Sequence, residues 1–355
     1  MKIIHCADLH LGSKMQTKLN SVQAYKRRRE LLQNFDRLAQ YAKLHNVQYI
    51  LIAGDLLDSD NATLSTKDYI LNVIREYHDI TFLYLCGNHD CDSVLRGVDN
   101  LPPNLYNFGK TWQSFDCGES VVVTGMEGGL TPKDYTALSL DATKFNIVTL
   151  HGQEFVGQKQ DGDLINLRAL QNKNIDYLAL GHIHSYKQQK LDDRGIYCYS
   201  GCLEGRGFDE CGQKGFVLLT IDNKKLNSTF VPFAQREYIE VDVDITDCST
   251  FHNILQKCVN AIQQISIDNI VRLNLCGTYT TDTDKSLALL YDELSRKFFA
   301  LDIKDKSTLY LDPAGYQNDI SLVGEFVREV QSSDLDERTK ADVITQGLKI
   351  LKEAK

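Results

Sequence analysis

Proline is scarce in this chain, five in 355 residues, and no proline-rich stretch marks an extended linker. Also missing is any apolar run near the ~18 residues needed to span a bilayer, so no transmembrane helix is expected. The opening Met1-Lys2-Ile3-Ile4-His5-Cys6-Ala7-Asp8 has one positive charge and a very short apolar stretch, which does not read as a signal peptide. Ten cysteines occur, but none form a CxxC pair, so a zinc ribbon is a poor reading. Free thiols in a reducing cytoplasm are expected instead. Basic residues are in deficit, 39 Lys and Arg against 48 Asp and Glu, for a formal net charge of -9. That excludes a general nucleic-acid binder acting by charge alone. A polyanion would have to be held by a local patch, by metals or with a partner's help. What is present is ordinary globular composition, 43% hydrophobic and 25% charged, with a length that suggests roughly two domains.

There is no internal repeat and no low-complexity segment. The N-terminal half alternates apolar runs (Lys2–Ala7, Gln48–Ala53, Thr81–Cys86) with helical stretches. Leu31, Leu32, Phe35, Leu38, Ala39 and Ala42 recur at helical spacing, as do Tyr69, Ile70, Val73, Ile74 and Tyr77. Strand and helix in alternation predict a parallel sheet with right-handed crossovers. From about residue 105 the pattern changes to short strands: Val121–Thr124, Asn146–Leu150, Tyr177–Leu180, Ile196–Tyr199, Phe216–Ile221 and Thr229–Phe233. The expected fold class is α/β, a two-sheet β-sandwich flanked by helices, over residues 1–235. A smaller α+β capping domain is expected over 236–312, from the strands Tyr238–Val243 and Ile270–Leu275 and helices around Ile254 and Leu290. A C-terminal helical segment, 313–355, carries two apolar stripes, one of them Val343, Ile344, Leu348 and Leu351. Packing on the body is the first reading of those stripes, and partner docking the second.

Five segments close apolar runs with metal-type ligands: Asp8-Leu9-His10, Gly54-Asp55-Leu56-Leu57-Asp58, Gly87-Asn88-His89-Asp90, His151-Gly152 and Gly181-His182-Ile183-His184. In open α/β sheets ligands gather beyond the carboxyl ends of the strands, so these side chains are expected on one rim. Alternation along an extended segment would put Asp8 and His10 on one side, and His182 and His184 likewise. Each pair alone is weak, and a lone GNHD reads equally as a turn. Five in order, each at a strand end, do not read as incidental. His5, His45, His78 and His252 lie outside the set and are taken as structural or solvated. Carboxylate, imidazole and amide oxygen suit two divalent ions of manganese, iron or zinc type, with no thiolate required. Two such ions about 3.5–4 Å apart form the usual clamp for phosphoester hydrolysis, with one carboxylate bridging them.

The order DxH, GDxxD, GNHD, HG, GHxH resembles the calcineurin-like metallophosphoesterase superfamily. Within it, MKIIHCADLHLGS, DYLALGHIHS and YSGCLEGRGFDECGQKGFVLL resemble the SbcD-type nuclease subunit, the meiotic recombination eleven nuclease of eukaryotes and archaea. The likeness covers about residues 1–220. It implies one metal on Asp8, His10 and His184, a second on Asn88, His151 and His182, and Asp55 as the bridge. It implies that His89 acts on the scissile phosphate without binding metal, and that Asp58 orients its loop. The reaction implied is hydrolysis of DNA phosphodiester bonds by metal-activated water, in exonuclease or endonuclease mode, with manganese as the expected ion.

Substrate contacts are less defined. Lys26-Arg27-Arg28-Arg29 is the strongest basic cluster, readable as a DNA backbone contact or as a solvated helix face. Arg206 is readable as a phosphate contact by resemblance or as the partner of a nearby carboxylate. The likeness also implies an SbcC-type, SMC-like ATPase partner, a homodimer and a role in DNA repair and recombination. Two alternatives stand beside it: a phosphatase or small-molecule phosphodiesterase of the same superfamily, and a non-enzymatic scaffold. Protein phosphatases of the group show GDxVDRG and GNHE, where this chain has GDLLDSD and GNHD. The complete ligand pattern argues against a decayed scaffold.

Overall fold

The computed structural model describes residues 1–15, 17–58, 62–87, 100–155, 164–280, 283–310, 313–316 and 318–353. The chain divides into two compact units, Met1–Ile239 with Asp268–Ile270, and Glu240–Ile267 with Val271–Lys355. In chain order the strands of the first unit are β1 (Lys2–Cys6), β2 (Tyr49–Ala53), β3 (Thr81–Leu85), β4 (Leu105–Asn107), β5 (Gln113–Asp116), β6 (Val121–Gly125) and β7 (Phe145–His151), then β8 (Gln153–Phe155), β9 (Leu164–Asn166), β10 (Tyr177–Gly181), β11 (Lys187–Lys190), β12 (Ile196–Tyr199), β13 (Gly215–Asp222) and β14 (Lys225–Pro232). Its helices are α1 (Ser21–Leu44), α2 (Leu64–Glu76), α3 (Pro132–Ala137) and α4 (Leu167–Leu170).

Two six-stranded sheets result, ordered β14-β13-β1-β2-β3-β4 and β11-β12-β10-β7-β6-β5. Each has a parallel centre, β1-β2-β3-β4 in one and β12-β10-β7-β6 in the other. Antiparallel strands close the edges: the β13–β14 hairpin beside β1, β11 on β12, and β5 on β6. The parallel expectation therefore holds from β1 to β4, with α1 and α2 as the first two crossovers, and among β6, β7, β10 and β12; it gives way at β13, β14, β11 and β5.

Alternation along the strands builds the layers. Ile3 of β1 joins Leu51, Leu83, Ile147, Ala179 and Val217 in the core between the sheets. Ile4 and Cys6 point the other way, into the core under Leu31, Phe35, Leu38 and Ile70 of the helices. His5 also lies between the sheets, its Nδ1 2.9 Å from the Tyr177 hydroxyl. Burial pushes its imidazole down to about 3, so it stays neutral. Helix α1 starts at a capping box, with Asn20 Oδ1 accepting from the Gln23 amide and Gln23 Oε1 accepting from the Asn20 amide.

The second unit has a three-stranded sheet, β15 (Tyr238–Asp244), β16 (Ile270–Cys276) and β18 (Ala300–Asp305), and a two-stranded pair, β17 (Thr278–Tyr279) with β19 (Thr308–Leu309). Helices α5 (Phe251–Ile262) and α6 (Leu287–Leu294) bury Ile254, Cys258, Ile262, Leu290 and Leu294 against Val271, Leu273 and Leu275. The tail helices α7 (Leu322–Ser332) and α8 (Glu337–Glu353) fall in this unit. Ile344 and Leu348 of α8 are buried with Val327 of α7. Packing thus accounts for the middle of that stripe and removes those two residues from any docking surface, whereas Val343 is exposed. No helix among the described residues is long and apolar enough to cross a membrane.

Candidate metal centre

Four parallel strands, two adjacent ones in each sheet, deliver the site. β1 leads to Asp8 and His10, β2 to Asp55, β7 ends on His151, and β10 leads to His182 and His184. The backbone beyond β1 and β2 stays tied, Asp8 N to Gly54 O at 3.1 Å and His10 N to Asp55 O at 2.9 Å. Extended alternation does not describe these segments. Asp8, His10, Asp55 and His182 have φ of +53, +43, +51 and +102°, in the left-handed region where side chains are rarely found. Each costs on the order of 1–3 kcal/mol and persists only where its surroundings hold it. One such hold is visible at His182, whose amide donates to both Asp8 carboxylate oxygens, at 2.9 and 3.1 Å. Gly54, at φ +98°, is required: a Cβ there would lie 2.0 Å from His151 Nδ1.

Two ligand groups emerge, Asp8–His10–His184 and Asp8–Asp55–His151, each with donor atoms within 4.8 Å of one another. His10 Nε2 and His184 Nε2 stand 3.3 Å apart. Asp55 Oδ2 lies between the groups, 3.6 Å from His10 Nε2 and 3.4 Å from His151 Nε2. Asp8 reaches both groups, although the resemblance gives it to one metal. His182 joins neither group, and its ring meets that of His151 edge-on at 5.5 Å. Asn88 and His89 lie outside the described residues.

This donor set fits divalent ions. His151 Nδ1 sits 2.9 Å from Ala53 O and His184 Nδ1 sits 2.7 Å from Glu210 Oε1. Both acceptors draw the ring proton to Nδ1, which leaves Nε2 as the lone pair turned to the site. Two carboxylates, each about 1% exposed, are also buried here. Burial pushes the Asp8 carboxyl up to about 6, against the opposing pull of His151 and His184. Burial alone would lower His151, but the Asp55 and Asp8 carboxylates outweigh it and hold the imidazole at about 9. A proton therefore occupies His151 at neutral pH and competes with metal. We expect apparent manganese affinity at this site to rise as pH goes from 6.5 to 9 and then level off. Titration calorimetry in matched buffers, with proton release counted, checks it; affinity flat across that range would contradict the assignment.

Sequence reasoning missed Glu210, which is buried between His184 and Arg206. Desolvation favours its neutral form, but His184 and Arg206 outweigh it and hold its carboxyl well below the usual range. The acid lies inside the YSGCLEGRGFDECGQKGFVLL stretch, four residues after Arg206. Arg206 is paired with this carboxylate, Nη2 to Oε1 at 2.7 Å. The basic run on α1 needs correction too. Arg27 is fully buried, its Nη1 donating to Glu30 Oε2 at 2.8 Å and its Nη2 to Glu204 Oε1 at 2.7 Å. It cannot contact DNA from there. Lys26 and Arg29 are exposed, while Arg28 is half-buried and donates to Lys14 O at 3.1 Å.

Two sheets flanked by helices, with carboxylates and imidazoles gathered at the ends of their parallel strands, define a metallophosphoesterase. The calcineurin-like phosphoesterase family profile matches residues 1–186, and the chain belongs to that family. The chain is 24% identical over 281 residues to the DNA double-strand break repair protein Mre11 of Aeropyrum pernix, covering 72% of this chain and 66% of that protein. Over 303 residues it is 24% identical to the uncharacterized metallophosphoesterase YhaO of Bacillus subtilis, covering 78% and 72%. Mre11 of Methanosarcina mazei is 22% identical over 322 residues, covering 86% and 50%. The chain thus spans about half to two thirds of the length of these Mre11 relatives.

Proposed function

We propose that this chain is a two-metal phosphodiesterase acting on DNA, the nuclease subunit of a homodimeric assembly with an SbcC-type ATPase, working with manganese. The observation that carries the two-metal part is the Asp55 carboxylate, within 3.6 Å of an imidazole nitrogen of each ligand group. The DNA part is supported by similarity to two Mre11 proteins, which spans 72% and 86% of this chain and so extends past the family-matched residues.

Bound dications would supply the charge that activates a water and neutralises the phosphoryl oxygens. The chain's own residues hold the ions and set the ring tautomers. In the proposal Asn88 and His182 complete the second metal's ligand set, and His89 steadies the charge developing on phosphate or leaving oxygen. Lys26 and Arg29 are the exposed members of the basic run and are offered for backbone contact. With a net charge of -9 the isolated chain should bind duplex DNA weakly, so efficient cutting of duplex ends is assigned to the assembly.

The test compares manganese-dependent turnover on single-stranded DNA, p-nitrophenyl phosphate and cyclic nucleotides, with His89→Ser alongside. Preferential DNA cleavage, lost in His89→Ser while metals stay bound, is the expected result. Turnover of the small esters with none on DNA would favour a phosphatase or small-molecule phosphodiesterase, and no turnover with any ion would favour a scaffold.

A further inference from the structure

Among the histidines of the two ligand groups, His184 has the most exposed side chain. The side chains of His10 and His151 are 2% and 4% exposed, whereas that of His184 is 28% exposed. Packing fixes the first two rings, and the third needs a tether. Glu210 supplies it. Its Oε1 lies 2.7 Å from His184 Nδ1 and accepts from Arg206 Nη2 at 2.7 Å and Nε at 3.2 Å. Oε2 accepts from the Arg206 backbone amide at 2.8 Å. The carboxylate is 5% exposed and is therefore gripped on both oxygens with little room to swing.

We infer that Glu210 is a positioning residue that fixes the ring and tautomer of His184 for one of the two metals, and that Arg206 serves the site by clamping Glu210 instead of touching a DNA phosphate. The inference rests on the two-metal reading above. A carboxylate held by a guanidinium accepts a hydrogen bond from Nδ1–H and so directs the Nε2 lone pair inward, where it faces His10 Nε2 at 3.3 Å. The same clamp occupies Nε and Nη2 of Arg206, so a phosphate approaching that edge of the fork would have to displace Glu210.

Manganese titration calorimetry on the whole chain tests this, with wild type, Glu210→Gln and Arg206→Gln. Gln keeps the size of Glu210 but loses the charge that Arg206 grips. Wild type should take up two ions. Each variant should bind one with wild-type affinity and the other about 10- to 100-fold more weakly, the usual effect of removing such an outer partner. The unaffected ion is the internal control for folding, and Glu210→Asp, which keeps the charge, should fall between. Two ions bound with unchanged constants in Glu210→Gln overturn the inference, and so does equal weakening of both, which reports general loosening. If Arg206→Gln weakens oligonucleotide binding and leaves manganese binding untouched, the clamp role of Arg206 is wrong. Failure of wild type to bind two ions sinks the two-metal reading itself, a result distinct from all of these.

Discussion

Asp55→Ala should lose two-metal binding and cut hydrolysis by at least about 100- to 1000-fold, the scale of losing one preorganised electrostatic partner of a transition state. Asp55 Oδ2 faces an imidazole nitrogen of both ligand groups, at 3.6 and 3.4 Å. Asp8 also offers a carboxylate oxygen to both groups. Two dications side by side repel, and a carboxylate between them offsets that repulsion while holding each ion. Without it the Asp8–His10–His184 group remains and could keep one ion. Calorimetry should therefore read a stoichiometry falling from two to one, with turnover on single-stranded DNA falling in parallel. Two ions bound at wild-type affinity, or activity within threefold of wild type, would show that the bridge lies elsewhere.

In the metal-free protein Asp55→Ala has opposing effects on stability. The alanine keeps a Cβ at φ +51°, so the backbone cost remains. Loss of the Asp55 charge removes one group that pushes Asp8 up, and also one that holds His151 up. A thermal melt run beside the calorimetry separates loss of the site from loss of the fold.

The strand ends were legible because apolar runs are visible in a bare sequence and each run stops at its ligand. KIIHC, YILIA and FLYL all end within three residues of an Asp or Asn of the motif set. Legible also were the sandwich and the families of ligands, since period-2 alternation decides which face is buried. The backbone at the site was not. DxH reads as an extended pair, yet Asp8 and His10 are left-handed, because hydrogen bonds to the β2 segment override local preference. Arg27 was misread for a related reason. Four consecutive basic residues look solvated, but on a helix they point in different directions, and the turn that meets Glu204 buries one of them. Glu210 escaped because its role depends on a contact across 26 positions with His184, and no periodicity carries such a pairing.

That buried arginine gives the second large effect. Glu204→Ala is expected to destabilise the chain by about 3–5 kcal/mol, the usual result of stranding a buried charge. Glu204 Oε1 accepts from Arg27 Nη2 at 2.7 Å, and its Oε2 accepts from Asn34 Nδ2 and from the Gln235 amide at 2.8 Å. Arg27 retains Glu30, but Glu30 is already shared with Arg236, whose Nη2 donates to Glu30 Oε1 at 2.8 Å. Glu30 would then serve two buried guanidiniums, with the exposed Asp268 carboxylate 3.5 Å from Arg236 Nη1 as the further acid. Urea denaturation should show the midpoint shift with an unchanged slope. Replacing the pair by Arg27→Met with Glu204→Leu should recover most of the loss, since two matched apolar side chains leave no charge unpaired. A loss under about 1 kcal/mol in Glu204→Ala would mean the network is solvated in a way its burial does not suggest. Manganese affinity links the two ends of the argument: Glu204 is two residues from Arg206, which clamps Glu210 beside His184. Below the unfolding transition, Glu204→Ala should thus weaken the ion held with His184 more than the ion held with His151.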